Sequence, residues 1–193
     1  MTFIHEMDGH IGRIDFGMNP DLVLFSLALA LAAAAAILDV QKRRIPNWLT
    51  YTGIIFGVVL RGLLLGWRGA VGALAGCLLA GGIFLLFYRV RALGAGDVKL
   101  AAAVASMLGP GDAVVMLLAT ALSGGVLAVV YILYRRRMRA TLSNLGGALR
   151  FHAWAGLHPH PELNLDNPVA LRMPYELAVA AGTLYVFLTM WWR

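Results

Sequence analysis

Long apolar runs alternate with short polar segments along the whole chain, a pattern typical of a helical membrane protein. A transmembrane helix needs about 20 apolar residues, so five of the six runs are long enough to cross a bilayer. The fourth run is short, and we expect it to be tilted or to lie within a protein-lined cavity. The predicted runs are 21–38, 46–65, 70–88, 98–109, 113–134 and 174–192.

Basic residues in the connecting segments predict the orientation. Lysine and arginine concentrate in or beside three loops, 39–45, 89–97 and 135–173, whereas the opposite side carries only four arginines. Cytoplasmic loops are enriched in lysine and arginine, so these three loops are predicted to be cytoplasmic. We therefore predict an all-α polytopic membrane protein with six transmembrane helices and both termini on the non-cytoplasmic side.

The same pattern predicts the domain organisation. Residues 1–20 are mixed in character and form an N-terminal tail. Residues 21–193 form a single membrane-embedded domain, with the cytoplasmic loop 135–173 between the fifth and sixth helices.

Composition supports this class and excludes others. Hydrophobic residues make up 60% of the chain and charged residues 13%, against about 45–50% and about 25% in soluble domains. The net charge of +6 comes from residues at the ends of apolar runs, where they meet lipid headgroups, so we expect membrane lipids and no nucleic acid as partners. The single cysteine, Cys77, excludes an intramolecular disulfide and a Cys-x-x-Cys metal site.

Two aspartates lie where a membrane protein carries charge at a cost. Asp39 ends the first apolar run and Asp97 opens the fourth, and the predicted topology puts both at the cytoplasmic boundary. Ionisable residues at such positions are functional candidates by default. Two carboxylates that converge share one proton, so one can take a proton from water while the other polarises a peptide carbonyl.

Structural explanations compete with this one. Asp97 is a favourable N-cap before an apolar helix, and Asp39 is a boundary residue that can pair with Lys42 or Arg43. From the residues alone, these explanations are the commoner ones. A small proton-coupled transporter or channel, with the two aspartates as relay groups, is a further alternative.

Four neighbouring residues are candidates for supporting roles. Gly94 and Gly96 lack Cβ atoms, which permits unusual backbone angles and the close approach of an extended substrate. Asn47 is a candidate hydrogen-bonding group near the aspartates. Lys99 lies two residues after Asp97 and so on another helix face, and we expect it to reach lipid headgroups or steady a loop.

The long loop contains histidines but no metal motif. His152, His158 and His160 are not paired at a helical spacing, and no cysteine accompanies them. We therefore predict no metal site.

Two segments together resemble the paired motifs of the prepilin peptidases, which are membrane aspartic proteases of the Gly-x-Gly-Asp type. They are Asp39-Val-Gln-Lys-Arg-Arg-Ile-Pro-Asn47 and Gly94-Ala-Gly-Asp-Val-Lys99. The resemblance covers roughly residues 25–130. It implies that Asp39 and Asp97 form the catalytic dyad and that no cofactor is needed.

Within that family, the chain resembles the short, peptidase-only members that serve Flp-type (tight-adherence) pili, because it lacks the N-terminal insertion with paired Cys-x-x-Cys. The segment Arg172-Met-Pro-Tyr175 resembles the start of their last helix, but Glu176 departs from the pattern. The resemblance implies a prepilin substrate with a basic leader and an apolar helix, cut at the cytoplasmic face of the bacterial inner membrane. An inactive scaffold for pilus assembly is the alternative within the family. The sequence carries no signal for a particular oligomeric state.

Overall fold

The computed structural model describes residues 19–42, 45–134, 146–147, 150–151, 154–156, 158 and 175–192. Almost all of the predicted tail 1–20 and most of the loop 135–173 lie outside these residues. The main elements, all helical, are α1 Pro20–Lys42, α2 Asn47–Arg89, α3 Ala95–Leu108, α4 Pro110–Tyr134, α5 Tyr175–Thr189 and a 3-10 turn Met190–Trp192. Since the described part of the chain contains no strand, the predicted all-α fold is confirmed.

Helix α2 is a hairpin of two arms, which correspond to the predicted runs 46–65 and 70–88. Gly66 breaks the helix with φ 70° and ψ −166°, a conformation essentially restricted to glycine. Gly69 packs against the carbonyl oxygen of Arg61, although in a straight helix residues eight apart are separated by about 12 Å along the axis. The chain therefore reverses at Gly66.

Helix α3 lies between the two arms of α2 and is buried from Leu100 onward. All residues from Leu100 to Leu108 are buried. A Cβ atom on Gly53 of the first arm would lie 3.2 Å from the Cβ of Ala103, and one on Gly81 of the second arm 3.3 Å from that of Ala102. Small residues thus let both arms approach α3 closely. The short run 98–109 is enclosed by protein, as one of the two predicted alternatives required.

The end of α3 remote from Asp97 is held by an arginine of α2. Arg61 Nη1 donates a hydrogen bond of 2.7 Å to the carbonyl oxygen of Met107, which otherwise has no helical donor. Gly109 follows with φ 80°, and α4 begins at the next residue. The fourth and fifth predicted runs are therefore joined by a single residue, Gly109, between α3 and α4.

Helices α1, α4 and α5 complete the bundle. Helix α1 buries Leu24, Phe25 and a series of alanines. Helices α4 and α5 pack closely because Gly182 fits against Thr120, and Ser123 Oγ of α4 donates a hydrogen bond of 3.1 Å to the carbonyl oxygen of Ala178 in α5. These contacts fix where α5 begins relative to α4.

Three helices, α1, α2 and α4, are long and apolar enough to cross a membrane. Large apolar side chains on their outer surfaces are exposed, including Leu78 at 74% and Leu122 at 73%, as expected of surfaces that face lipid. The chain is therefore a membrane protein. The number of six spans and the side on which each terminus lies stay predictions.

Candidate active site

Asp97 is the third residue of α3, and only one of its carboxylate oxygens is explained by helix capping. Gly94, the N-cap residue, donates its backbone N–H to Asp97 Oδ2 at 2.8 Å. The side chain is 8% exposed, and Oδ1 is buried without a hydrogen-bond donor among the described residues. A capping role does not require the second oxygen to be buried in this way.

Asp39 lies near the C-terminal end of α1 and reaches the same site as Asp97. It sits in the last turn of α1, three residues before the helix ends, and is half-buried. Its charge acts on Asp97. The two aspartates singled out from the sequence therefore lie within electrostatic range of each other.

A third carboxyl, which the sequence analysis noted without assigning a role, completes the group. Glu176 is the second residue of α5 and is 7% exposed. Its carboxyl lies within interaction range of the carboxyl of Asp97 and, more weakly, of Asp39. Its signal in the sequence was the same as for the aspartates, since it is an ionisable residue at the start of an apolar run that follows a predicted cytoplasmic loop.

The two glycines of the Gly94–Asp97 segment have ordinary backbone angles. Gly94 has φ −80° and ψ 157°, which any residue adopts, so the expectation of unusual angles is wrong at this position. What Gly96 provides is space, because a Cβ atom there would lie 3.3 Å from Cδ1 of Ile45. The Ile45–Asn47 segment therefore packs directly on the segment that carries Asp97.

Asn47 and Lys99 contact each other and not the carboxyls of Asp39, Asp97 and Glu176. Lys99 Nζ donates a hydrogen bond of 2.9 Å to Asn47 Oδ1 and lies 4.9 Å from the centre of the Tyr51 ring. The prediction that Lys99 steadies a loop fits this contact. Together with the Ile45–Gly96 contact, it joins the start of α2 to the start of α3.

The arrangement suits acid–base chemistry on a water molecule. A half-buried carboxyl, Asp39, stands beside two buried ones, Asp97 and Glu176, and such groups hold and release protons at fixed positions. In the described part of the chain, no three or more histidine, cysteine, aspartate or glutamate side chains are grouped so that they could hold a metal ion.

Comparisons with known proteins assign a family. Residues 25–129 match the profile of the type IV leader peptidase family, a region that includes Asp39 and Asp97 but not Glu176. Searches of curated proteins and of solved structures gave no significant match. Because the matched region is more than half of the chain, the chain belongs to the type IV leader peptidase family.

Proposed function

We propose that the chain is an aspartic endopeptidase that removes the basic leader of a type IV prepilin of the Flp class. The site of cleavage is the cytoplasmic face of the bacterial inner membrane, and Asp39 and Asp97 are the acid–base pair. The observation that carries the proposal is that Asp39, from α1, lies close enough to Asp97, from α3, for the two charges to interact. Membership of a leader peptidase family favours peptide hydrolysis over transport.

The environment of Asp97 suits the role of general base. The N–H of Gly94 donates to its carboxylate, and the N-terminus of α3 favours negative charge there. The ionised carboxylate takes a proton from water while the resulting hydroxide adds to the peptide carbonyl carbon. Asp39, in the last turn of α1, acts as the general acid and gives its proton to the carbonyl oxygen.

The second half of the reaction returns both groups to their starting states. The tetrahedral intermediate collapses, the C–N bond breaks, and the leaving amine takes the proton held by Asp97. The carbonyl oxygen returns its proton to Asp39 as the new carboxylic acid forms. Every proton in this scheme comes from Asp39 or from the attacking water, Asp97 carries the water proton to the leaving amine, and no cofactor takes part.

The proposed substrate is a prepilin with a basic leader ahead of an apolar helix. The apolar helix would lie in the bilayer beside the lipid-facing helices, which puts the junction with the leader at the membrane boundary. The negative charge of the Asp39 and Asp97 pair attracts a basic segment.

The test is co-expression with a candidate Flp-type prepilin, with cleavage followed by gel mobility and by mass of the pilin N-terminus. We expect Asp39→Asn and Asp97→Asn each to reduce cleavage by at least about 10³-fold, since each removes one proton-transfer group. Asp21→Asn is the matched control, because Asp21 is an exposed carboxylate in the first turn of α1, at the end opposite Asp39.

Full cleavage by both site variants would overturn the peptidase proposal. Two other results would identify the alternatives. Ion uptake that depends on Asp39 and Asp97 without any cleavage would indicate a transporter. Normal pilus assembly with Asp97→Asn, again without cleavage by the wild type, would indicate a scaffold.

A further inference from the structure

Glu176 is a buried carboxyl for which the two-aspartate scheme has no use. It lies at the start of the apolar helix α5 and is 7% exposed. Burying an ionisable side chain costs free energy unless it is paired or hydrogen-bonded. A residue kept in such a place needs an explanation beyond packing.

The position of Glu176 is set by contacts on either side of it in the chain. The ring of the preceding residue, Tyr175, packs edge-on against Phe84 of α2 with 5.9 Å between ring centres. The same ring lies against Gly124 of α4. The hydrogen bond from Ser123 to the carbonyl oxygen of Ala178 holds the helix one half-turn further on. The carboxyl is therefore presented to the site by a fixed helix end.

The hydrogen bonds of Glu176 require a proton. Ionised carboxylates only accept hydrogen bonds, so two carboxyl groups at hydrogen-bond distance must share at least one proton. Glu176 makes such contacts with Asp97 and with Asp39. Asp97 Oδ1 has no other donor among the described residues, which leaves the carboxyl of Glu176 as the group able to provide a proton to the Asp97 side chain.

We propose that Glu176 is a positioning residue of the site, whose protonated carboxyl bridges Asp39 and Asp97 and holds them in register. The inference rests on the proposed peptidase function and extends it to a third residue. Glu176 acts through the two aspartates and not on the peptide itself. The site is thus a group of three carboxyls carried by α1, α3 and α5.

The groups facing Glu176 explain why a bridging role suits it. Its titratable neighbours are Asp97 from α3 and Asp39 from α1, and the hydroxyl of the preceding Tyr175 interacts with Asp97. The parts of α2 and α4 that pack against the start of α5 present Phe84, Gly124 and Ser123, none of which is titratable. Among the described residues Glu176 has no cation partner, so hydrogen bonding is what stabilises it, as a neutral acid.

The experiment compares two neutral replacements of similar size, Glu176→Gln and Glu176→Leu, in the full-length protein. Glutamine keeps a donor and an acceptor for the two aspartates, and leucine keeps neither. We expect kcat for prepilin cleavage to fall less than about tenfold for Glu176→Gln and about 100-fold for Glu176→Leu, because the aspartates are then misplaced. KM is expected to change little in either variant.

A second readout needs no substrate. Infrared spectra of the wild type in detergent micelles at neutral pH should contain a C=O stretching band from a protonated carboxyl, and Glu176→Gln should lose intensity in that band. Thermal unfolding of each variant shows whether the fold is retained. Because the spectra do not depend on cleavage, they test Glu176 even if Asp39→Asn and Asp97→Asn show that the peptidase proposal is wrong.

Three results would overturn the inference. An unchanged carboxyl band in Glu176→Gln would show that the proton is not on Glu176. Equal loss of kcat in both variants, in step with lost thermal stability, would show a purely structural role. Faster cleavage by Glu176→Leu would show that Glu176 obstructs the site instead of organising it.

Discussion

At the residue scale, the carboxylate of Asp97 has two separate functions on its two oxygens. Oδ2 accepts the Gly94 N–H and so completes the first turn of α3, while Oδ1 belongs to the buried group of carboxyls. An asparagine can keep the first function through its side-chain oxygen and can offer its amide hydrogens to Glu176.

Asp97→Asn should therefore remove activity without unfolding the protein. We expect the free energy of unfolding to change by less than about 1 kcal/mol, because the capping hydrogen bond is retained. Asp97→Leu, which loses it, should be less stable by about 1–3 kcal/mol. Thermal unfolding in detergent micelles measures the difference, and equal stability of the two variants would contradict this division of roles.

Gly96 gives a second prediction at this scale. A valine there would press on Ile45, whose Cδ1 lies 3.3 Å from the position of a Cβ atom, and would move the start of α3 away from Asp39. We expect Gly96→Val to reduce prepilin cleavage by about 10- to 100-fold. Adding Ile45→Ala should restore part of the loss, because it returns the space.

Gly82→Val is the matched control for this pair, since a Cβ atom on Gly82 meets nothing within 4 Å. If Ile45→Ala gave no recovery in the Gly96→Val background, the contact between the two segments would not be what limits activity.

The sequence was sufficient to find the carboxyls but not all of their neighbours. Asp39 and Asp97 stand out because charge at the edge of an apolar run is costly, and Glu176 meets the same criterion. The Lys99–Asn47 hydrogen bond was not predictable as a pair. It depends on how α3 is rotated against α2, and apolar periodicity is uninformative for a helix such as α3 that is buried from Leu100 onward.

At the scale of elements, the break at Gly66 decides the architecture. The two apolar runs on either side were predictable from length, because together they exceed the thickness of a bilayer. Their common partner was not predictable, since glycines such as Gly53 and Gly81 show only that something packs closely. The structure supplies the partner, which is α3.

Gly66→Ala tests the hairpin. A Cβ atom at this position meets nothing within 4 Å, so the substitution acts only through its effect on the backbone at φ 70°. We expect a loss of about 1–3 kcal/mol in the free energy of unfolding. Gly82→Ala, also in open space but within a regular helix, should be neutral or slightly stabilising. Equal behaviour of the two variants would mean that the turn tolerates side chains.

At the scale of the whole molecule, the topology of the chain across the membrane stays a prediction from the sequence. The structure contains the helices that the prediction requires, but orientation across a membrane depends on where lysine and arginine lie relative to the bilayer. The predicted side of the membrane for each segment follows from the basic residues in loops such as 89–97. Most of the longest basic loop, 135–173, lies outside the described residues.

Single cysteines introduced into a Cys77→Ala background show on which side of the membrane a given position lies. Arg68→Cys lies just after the hairpin turn and Ala92→Cys lies between α2 and α3, and both positions are exposed. With a thiol reagent that does not cross membranes, we expect Arg68→Cys to be labelled in spheroplasts and Ala92→Cys only after permeabilisation. The reverse pattern would put the carboxyls on the outer side and exclude cleavage of a cytoplasmic leader.

The burial of α3 from Leu100 to Leu108 has a consequence for how a peptide reaches the candidate active site. Shifting a helix whose residues from Leu100 to Leu108 are all buried would open voids along its entire length, each with a free-energy cost. We therefore expect Asp97 to keep its place when a peptide binds, and any adjustment of the site to involve α1 and α5, the helices that carry Asp39 and Glu176.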